Sequence, residues 1–280
     1  MKSDSTMSRR RKSNNSISLT QWILCGTILV ICIAIGLGFV YWSFNGEKFD
    51  KATNCPLEHN VPYATNQLVV LVDVTDPLKP DVADRLKVMV ENAINNQPQG
   101  TLVELFVLDD RITNYRSELA ACVPKRGKDA SDFTDNARMV EHNFKVNFSD
   151  KVDAAISRLV ATEKPLDRSP ICEMIKAVSL TSFSKSPSVM VKGNRKLMIF
   201  SDFMHHSPGN FTMYGNKGYS YEEFSHSPYG SSLTLNSSDF NLRGVEVQLF
   251  YTKVMTPKNA KFWEDYFKAG LALVTNAERI

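Results

Sequence analysis

Two short stretches of this chain carry residue types that could do chemistry. The apolar run 68–72 ends abruptly in Asp73-Val74-Thr75-Asp76-Pro77, and the run 196–201 ends in Asp202, with His205 and His206 just beyond it. Between them lies Ser169-Pro170. A carboxylate at the end of a buried strand must be hydrated, capped, paired or bound to a metal, because an unpaired buried charge is costly. Asp73 and Asp202 with the hydroxyls of Thr75 and Ser169 would form an all-oxygen donor set, suited to Mg²⁺, Mn²⁺ or Ca²⁺ rather than to a soft metal. The same residue types also serve as local braces. Asp76 before Pro77 can close a turn, Ser169 before Pro170 can cap a helix, and Asp202 can cap the segment after it. Both uses stay open, with Asp76, His205 and His206 as additional candidates. Adjacent histidines seldom aim at one zinc ion, and no third ligand is spaced nearby, so they are expected as loop residues at the rim.

The elements that must position these groups alternate between strand and helix. Residues 67–72 read as a buried strand. Pro80 suits a first helical turn, with Val82, Leu86, Met89, Val90, Ala93 and Ile94 at helical spacing behind it. Residues 101–108 and 117–121 read as an antiparallel hairpin at a sheet edge. Ser149 is placed to cap a helix carrying Val152, Ile156, Leu159 and Val160, and Ser169-Pro170 to open one carrying Ile171, Ile175 and Val178. Strands over 196–201 and 245–251 and a helix over 260–268 close the pattern, which predicts a doubly wound, mainly parallel α/β sheet with an antiparallel edge strand. In such sheets ligands bind beyond the carboxyl ends of the strands, where the strand order reverses. Asp73 and Asp202 both fall at that end.

Ahead of this domain, residues 22–42 contain no charge and follow the basic cluster Arg9, Arg10, Arg11 and Lys12. Some 20 apolar residues span roughly 30 Å as a helix, and Trp22, Tyr41 and Trp42 mark the two ends. The expected organisation is a cytoplasmic basic tail over 1–21, a transmembrane signal anchor over 22–44, a polar stalk over 45–66, and an α/β domain over 67–280. The charge asymmetry places the N-terminus in the cytoplasm and the domain in the periplasm or outside the cell, as in a bacterial inner-membrane protein. The net charge of +3 for 280 residues is small and much of it sits in the first dozen residues, which argues against a nucleic-acid partner. Cys55, Cys122 and Cys172 belong to the exported part. A Cys55–Cys122 disulfide is preferred, since Cys172 falls on an apolar helical pattern.

DVTDP at 73–77, DRSPICEMI at 167–175, IFSD at 199–202 and GVEVQLFYT at 244–252 followed by FWEDYF together resemble the von Willebrand factor A (vWA) family over about residues 67–270. The resemblance implies a Rossmann-like vWA fold and a metal-ion-dependent adhesion site. Asp73 and Thr75 match its first two ligands, Asp202 its last, and Ser169 stands where that family has Thr. The third motif position is Pro77, which has no hydroxyl, so one direct ligand of the family pattern is missing.

The resemblance implies a binding module that holds a protein partner at the carboxyl edge of the sheet, with Mg²⁺ or Mn²⁺ as the implied cofactor, and the uncharged span adds a membrane anchor with lipid contacted through residues 22–44. The segment 207–241, rich in Ser, Gly, Asn and Tyr, is expected as a long loop contributing to partner contact. The alternative is a metal-assisted hydrolase or phosphoryl-transfer enzyme using Asp73. Against it, the sequence holds no phosphate-binding glycine loop, no Gly-x-Ser-x-Gly elbow and no His-Glu-x-x-His helix.

Overall fold

Strand β3 (Gln67–Asp73) is buried along all seven residues, and its two faces feed two separate cores. Val69 and Leu71 point into one, while Leu68, Val70 and Val72 point into the other. A strand covered on both faces reads as an unbroken apolar run, which is why its sequence does not alternate. The computed structural model describes residues 19–44, 48–108, 117–132, 135–159, 166–184, 188–215, 219–235 and 242–280. It divides into two units, Met1–Glu47 and Lys48–Ile280.

The first unit holds one described helix, α1 (Leu19–Phe44), of 26 residues. The side chains of Gln21, Phe39 and residues 41–44 lie outside the described residues, as does the basic cluster at 9–12. Among the described residues no helix is long and apolar enough to cross a membrane.

In the second unit the elements follow in order. β1 (Leu57–Glu58) and β2 (Val61–Ala64) precede β3; α2 (Pro80–Asn95), β4 (Leu102–Leu108) and β5 (Leu119–Cys122) come next. Then come α3 (Ala137–Phe144), a π-helical turn (Lys145–Ser149), α4 (Asp150–Leu159) and α5 (Ile171–Ser182). β6 (Met190–Val191), β7 (Arg195–Ser201), β8 (His206–Ser207), β9 (Phe211–Thr212), α6 (Tyr221–His226) and α7 (Pro228–Ser231) lead to β10 (Val245–Tyr251), α8 (Pro257–Ala269) and β11 (Leu273–Arg279). The main sheet has six strands in the order β11-β10-β7-β3-β4-β5. All pairings are parallel except β4 with β5. From β3 the chain moves outward to β4 and β5, then returns to β7 on the other side of β3. The order therefore reverses between β3 and β7, the place where open α/β sheets bind ligands.

The two layers follow from helical periodicity. α2 starts with Pro80 in its first turn and buries Val82, Leu86, Val90 and Ile94 at four-residue spacing. With Phe144, Phe148, Val152 and Ile156 they cover one face of the sheet. On the other face lie Ile171, Met174, Ile175 and Val178 of α5 and Phe262, Trp263, Tyr266 and Phe267 of α8. Fully burying one such side chain contributes about 1.5–3 kcal/mol, so these faces fix the register of everything between them.

Several expectations are corrected. Residues 48–66 are not a free stalk: Lys48 onward belongs to the second unit, where β1 and β2 join β6 in a small three-stranded sheet. Ser149 does not start a helix, because the π-helical turn joins α3 to α4; the cap is Asn136, whose side chain accepts from the amides of Arg138 and Met139. Ser169 does not cap α5, whose N-cap residue is Pro170, without a side-chain bond. The segment 207–241 holds the β8–β9 hairpin and the two short helices α6 and α7, seated on α8 through Phe211, Tyr221 and Phe224 against Phe262. Its residues 216–218 and 236–241 lie outside the described residues. β11 was not expected at all; most of its residues are exposed, so its sequence carries no buried-strand signal.

Cys55 and Cys122 form a disulfide across a sequence separation of 67 residues and tie the segment before β1 to the edge strand β5. Cys172 is a buried free thiol, and Cys25 and Cys32 are free as well. Closing a loop of that length stabilises a domain by about 4 kcal/mol in the chain-entropy account. The double variant Cys55→Ser/Cys122→Ser should therefore melt at markedly lower temperature than the oxidised protein, and the reduced parent should match the variant. Equal melting of oxidised and reduced parent would show that the bridge contributes nothing.

Candidate functional site

Period-two alternation along β3 puts Val69, Leu71 and Asp73 on one face, and along β7 it does the same for Leu197, Ile199 and Ser201. The two strands run parallel and in register, so Asp73 and Ser201 meet side by side at the carboxyl ends. Ser201 donates from Oγ to Asp73 Oδ2 at 2.6 Å. Asp73 Oδ1 accepts from the Thr75 amide at 3.0 Å and from Thr75 Oγ1 at 2.6 Å. The Ser169 hydroxyl reaches Asp73 Oδ2 from the loop before α5 at 3.4 Å. All four side chains are buried. One carboxylate thus gathers donors from three separate segments.

Asp202 sits one residue past the end of β7. Its Oδ1 accepts the Met204 amide at 2.8 Å, and its Oδ2 receives the ammonium of Lys253 at 2.9 Å. The same ammonium bonds Asp76 Oδ2 at 2.6 Å. Phe203, within this turn, has φ of 56°, a left-handed conformation unusual for a bulky side chain. It is held there by its amide donating to Ser201 Oγ at 2.8 Å and by Trp263 Nε1 donating to its carbonyl at 3.0 Å. Strain of this kind persists only where the surroundings over-determine it.

The electrostatics follow from burial. Removal from water, then the nearby Asp202 charge, pushes the Asp73 carboxyl up to about 6, even though its bonds from Ser201 and Thr75 pull the other way. Burial alone would lower the Lys253 ammonium, but its bonds to Asp76 and Asp202 and their charges outweigh that and hold it well above the ordinary lysine range. The Tyr214 phenol is raised by burial and then by the charges of Asp202 and Asp76. Asp73, Asp76, Pro77, Asp202 and Lys253 line a cavity of about 320 Å³.

The structure therefore brings Asp73, Thr75, Ser169, Asp202 and Asp76 to one end of the sheet. His205 and His206 are not part of that group. The His205 ring is fully buried: its Nδ1 accepts the Cys172 amide at 3.3 Å and its Nε2 lies 3.2 Å from Tyr229 Oη. His206 Nδ1 pairs with Thr212 Oγ1 at 2.9 Å, so the two rings diverge. His206 contributes through its backbone instead, exchanging hydrogen bonds with Ser169 at 2.8 and 2.9 Å. Sequence reasoning missed Ser201 and Lys253. Ser201 was legible, since residue i in a strand shares its face with i+2 and i+4; Lys253, a lone lysine past a strand end, gave no signal.

As a donor set, Asp73, Thr75, Ser169 and Asp202 fit a hard divalent cation in kind, being all oxygen. Among the described residues no three His, Cys, Asp or Glu side chains converge on one point. Waters and a partner's oxygen would complete the shell, and Pro77 supplies nothing to it.

No protein-family profile matches the chain, and no curated protein is similar to it in sequence. Among solved structures it is similar to the PilB minor pilin from Streptococcus sanguinis (TM-score 0.42, 11% identity, covering 78% of this chain and 59% of that one). The D319A mutant of the same pilin gives TM-score 0.42 at 10% identity, covering 78% and 57%. The SpRpn10 VWA domain gives TM-score 0.35 at 8% identity, covering 78% and 88%. The chain thus spans less than two thirds of the pilin chains it resembles. Likeness at these scores is faint, and the fold rests on the strand order and register described above.

The buried imidazole gives the site's surroundings a pH dependence. Burial, then the charges of His206 and Arg168, drives His205 down to about 3, against an unfolded value near 6.5. Between those values the unfolded chain binds more protons, so stability falls as pH drops from about 6.5 towards 3, by up to the order of 5 kcal/mol. Asp73 acts in the opposite sense, because its raised carboxyl takes up a proton in the folded state between about 6 and 4. The variant His205→Asn, which keeps an acceptor for the Cys172 amide, isolates the histidine part. In urea titrations its stability deficit relative to the parent should shrink steadily from pH 7 to pH 4.5; a constant deficit would mean that His205 charges as easily folded as unfolded.

Proposed function

We propose that this chain is a membrane-tethered, extracytoplasmic vWA-like module that binds a protein partner at the carboxyl ends of β3 and β7. The observation that carries this reading is the convergence of Asp73, Thr75, Ser169 and Asp202 at the switch point of a wound sheet whose order matches the dinucleotide-fold pattern. A divalent ion, Mg²⁺ or Mn²⁺, held by those four residues would supply an attachment point for a partner's carboxylate. The surface over β8, β9, α6 and α7 adds Tyr214 and neighbouring polar groups beside it.

The tether reading rests on the uncharged sequence 22–42, which takes in residues whose side chains lie outside the described ones; some 20 apolar residues reach roughly 30 Å as a helix. Its large apolar side chains, Trp22, Ile23, Leu24, Leu29 and Ile35 among them, are exposed. Lipid is the solvent that suits them. The basic cluster at 9–12 supports a cytoplasmic N-terminus.

The hydrolase or phosphoryl-transfer alternative draws on the Asp73 carboxyl near 6, the kind of shift found in catalytic acids and bases. Against it, both Asp73 oxygens already accept hydrogen bonds from the protein, which leaves a poor nucleophile.

The tether is tested on the full-length protein in its own membrane. Alkaline carbonate should leave it in the pellet, and protease added from outside should digest the part after residue 48; recovery in the supernatant or complete protection would sink this part of the reading. For the binding site, a photocrosslinker at position 214 should capture one partner of defined mass. The yield should drop about tenfold or more in Asp73→Asn and Asp202→Asn and fall with chelator. Capture indifferent to both variants would remove the site from the interface, and phosphate-ester turnover abolished by Asp73→Asn would turn the conclusion to the enzyme.

A further inference from the structure

We propose that Lys253 is the resident cation of this site: a tethered ammonium that holds Asp202 and Asp76 when no metal is bound, and that a divalent ion must displace to reach Asp202. This rests on the ion-binding reading of the four oxygen donors and specifies how that site is regulated.

Three observations point the same way. First, the ammonium lies 2.9 Å from Asp202 Oδ2 and 2.6 Å from Asp76 Oδ2, so one positive charge bridges the acid expected as the last metal ligand and the acid beside Pro77. Second, the two partners differ in freedom. The Asp202 side chain is 6% exposed and fixed through Oδ1 by the Met204 amide, whereas the Lys253 side chain is 54% exposed. The carboxylate stays when the lysine leaves; the lysine, on a flexible four-carbon stem, can swing into solvent. Third, the backbone that carries it is anchored to the site. The amide of Thr252 donates to the carbonyl of Ser201 at 3.0 Å, which keeps the start of that stem beside the end of β7.

A lysine so placed has a physical rationale. Asp73 and Asp202 are buried near one another, and an empty site with that much negative charge would be destabilised by repulsion and lost hydration. The ammonium offsets part of this without foreign ions. It also competes with them, because an ammonium 2.9 Å from Asp202 Oδ2 repels a divalent ion that approaches the same carboxylate and fills the space it would enter. The expected property is an ion site that is latent in the parent alone and tight once Lys253 is neutralised or is drawn aside as a partner docks.

The test uses the full-length protein in detergent, with Mn²⁺ as probe. Free Mn²⁺ is followed by its paramagnetic resonance signal and melting by tryptophan fluorescence, in chelator and in millimolar Mn²⁺. Lys253→Met keeps the stem and removes the charge; Lys253→Arg keeps the charge. The parent should bind Mn²⁺ weakly and melt alike in both buffers. Lys253→Met should melt below the parent in chelator, recover in Mn²⁺, and bind the ion about tenfold tighter or more. Lys253→Arg should follow the parent, and Lys253→Met/Asp202→Asn should lose the gain. Should Lys253→Met melt like the parent in chelator, or bind no more tightly while the parent binds through Asp73 and Asp202, the lysine has no such role and the ion site survives. If neither protein binds Mn²⁺, the ion site and the inference fall together.

Discussion

The acid at the end of β3 dictates the local architecture. A carboxylate in the interior must collect donors, and Asp73 finds them in the turn after its own strand, in the loop before α5 and at the end of β7. Those donors are available only if β7 lies beside β3, parallel and in register. A slip of one residue would turn Ser201 to the opposite face and leave Asp73 Oδ2 short of its 2.6 Å donor. An unmet buried acceptor costs about 1–3 kcal/mol, more when charged, comparable with losing a core side chain. The polar end of the sheet and the apolar faces therefore specify one register between them.

The segment after β7 works as a roof rather than as a free loop. Ser169 is fixed from above by paired backbone hydrogen bonds with His206, and the neighbouring His205 is sealed among Phe211, Phe224 and Tyr229. Tyr229 links onward to the Glu173 carboxylate in α5, which Arg168 approaches at 3.4 Å. This chain of contacts connects α6 and α7 to Ser169. Glycine and serine made the segment read as a long loop, yet its spaced aromatic residues pack against Phe262 and Tyr266 and give it a core of its own.

What the sequence revealed and what it hid divide along physical lines. Runs 67–72 and 196–201 were legible because burial on both faces leaves near-continuous apolar composition, and 245–251 because buried Val245, Val247 and Leu249 alternate with half-buried Glu246 and Gln248. Asp73 and Asp202 stood out because acids break those runs at their ends. β11 was illegible because an edge strand with exposed residues has no burial to record. β1 and β2 hid behind Pro56 and Pro62, since short strands held by the Cys55–Cys122 bridge need little apolar content. His205 was misread for a different reason: a histidine beside a proline-glycine turn looks like rim, and only the aromatic residues packed around it show it to be core. Lys253 was invisible, because charge complementarity across the 51 residues separating it from Asp202 leaves no local mark.

The balance of charge then says what kind of ligand the site can accept. Asp76 and Asp202 share the Lys253 ammonium, Asp73 is held by hydroxyls and an amide, and Lys79, Arg85 and Arg279 also line the cavity. The elevated Asp73 carboxyl reflects burial first and the Asp202 charge second, which together outweigh the hydrogen bonds that favour its ionisation. A bare partner carboxylate brought up to Asp73 and Asp202 would meet repulsion from both buried acids. A cation would relieve it, whether a divalent ion or a basic side chain. For an acidic partner to dock here, positive charge must arrive first and Lys253 must move aside to admit it, which makes the lysine and the ion alternative occupants of one electrostatic role.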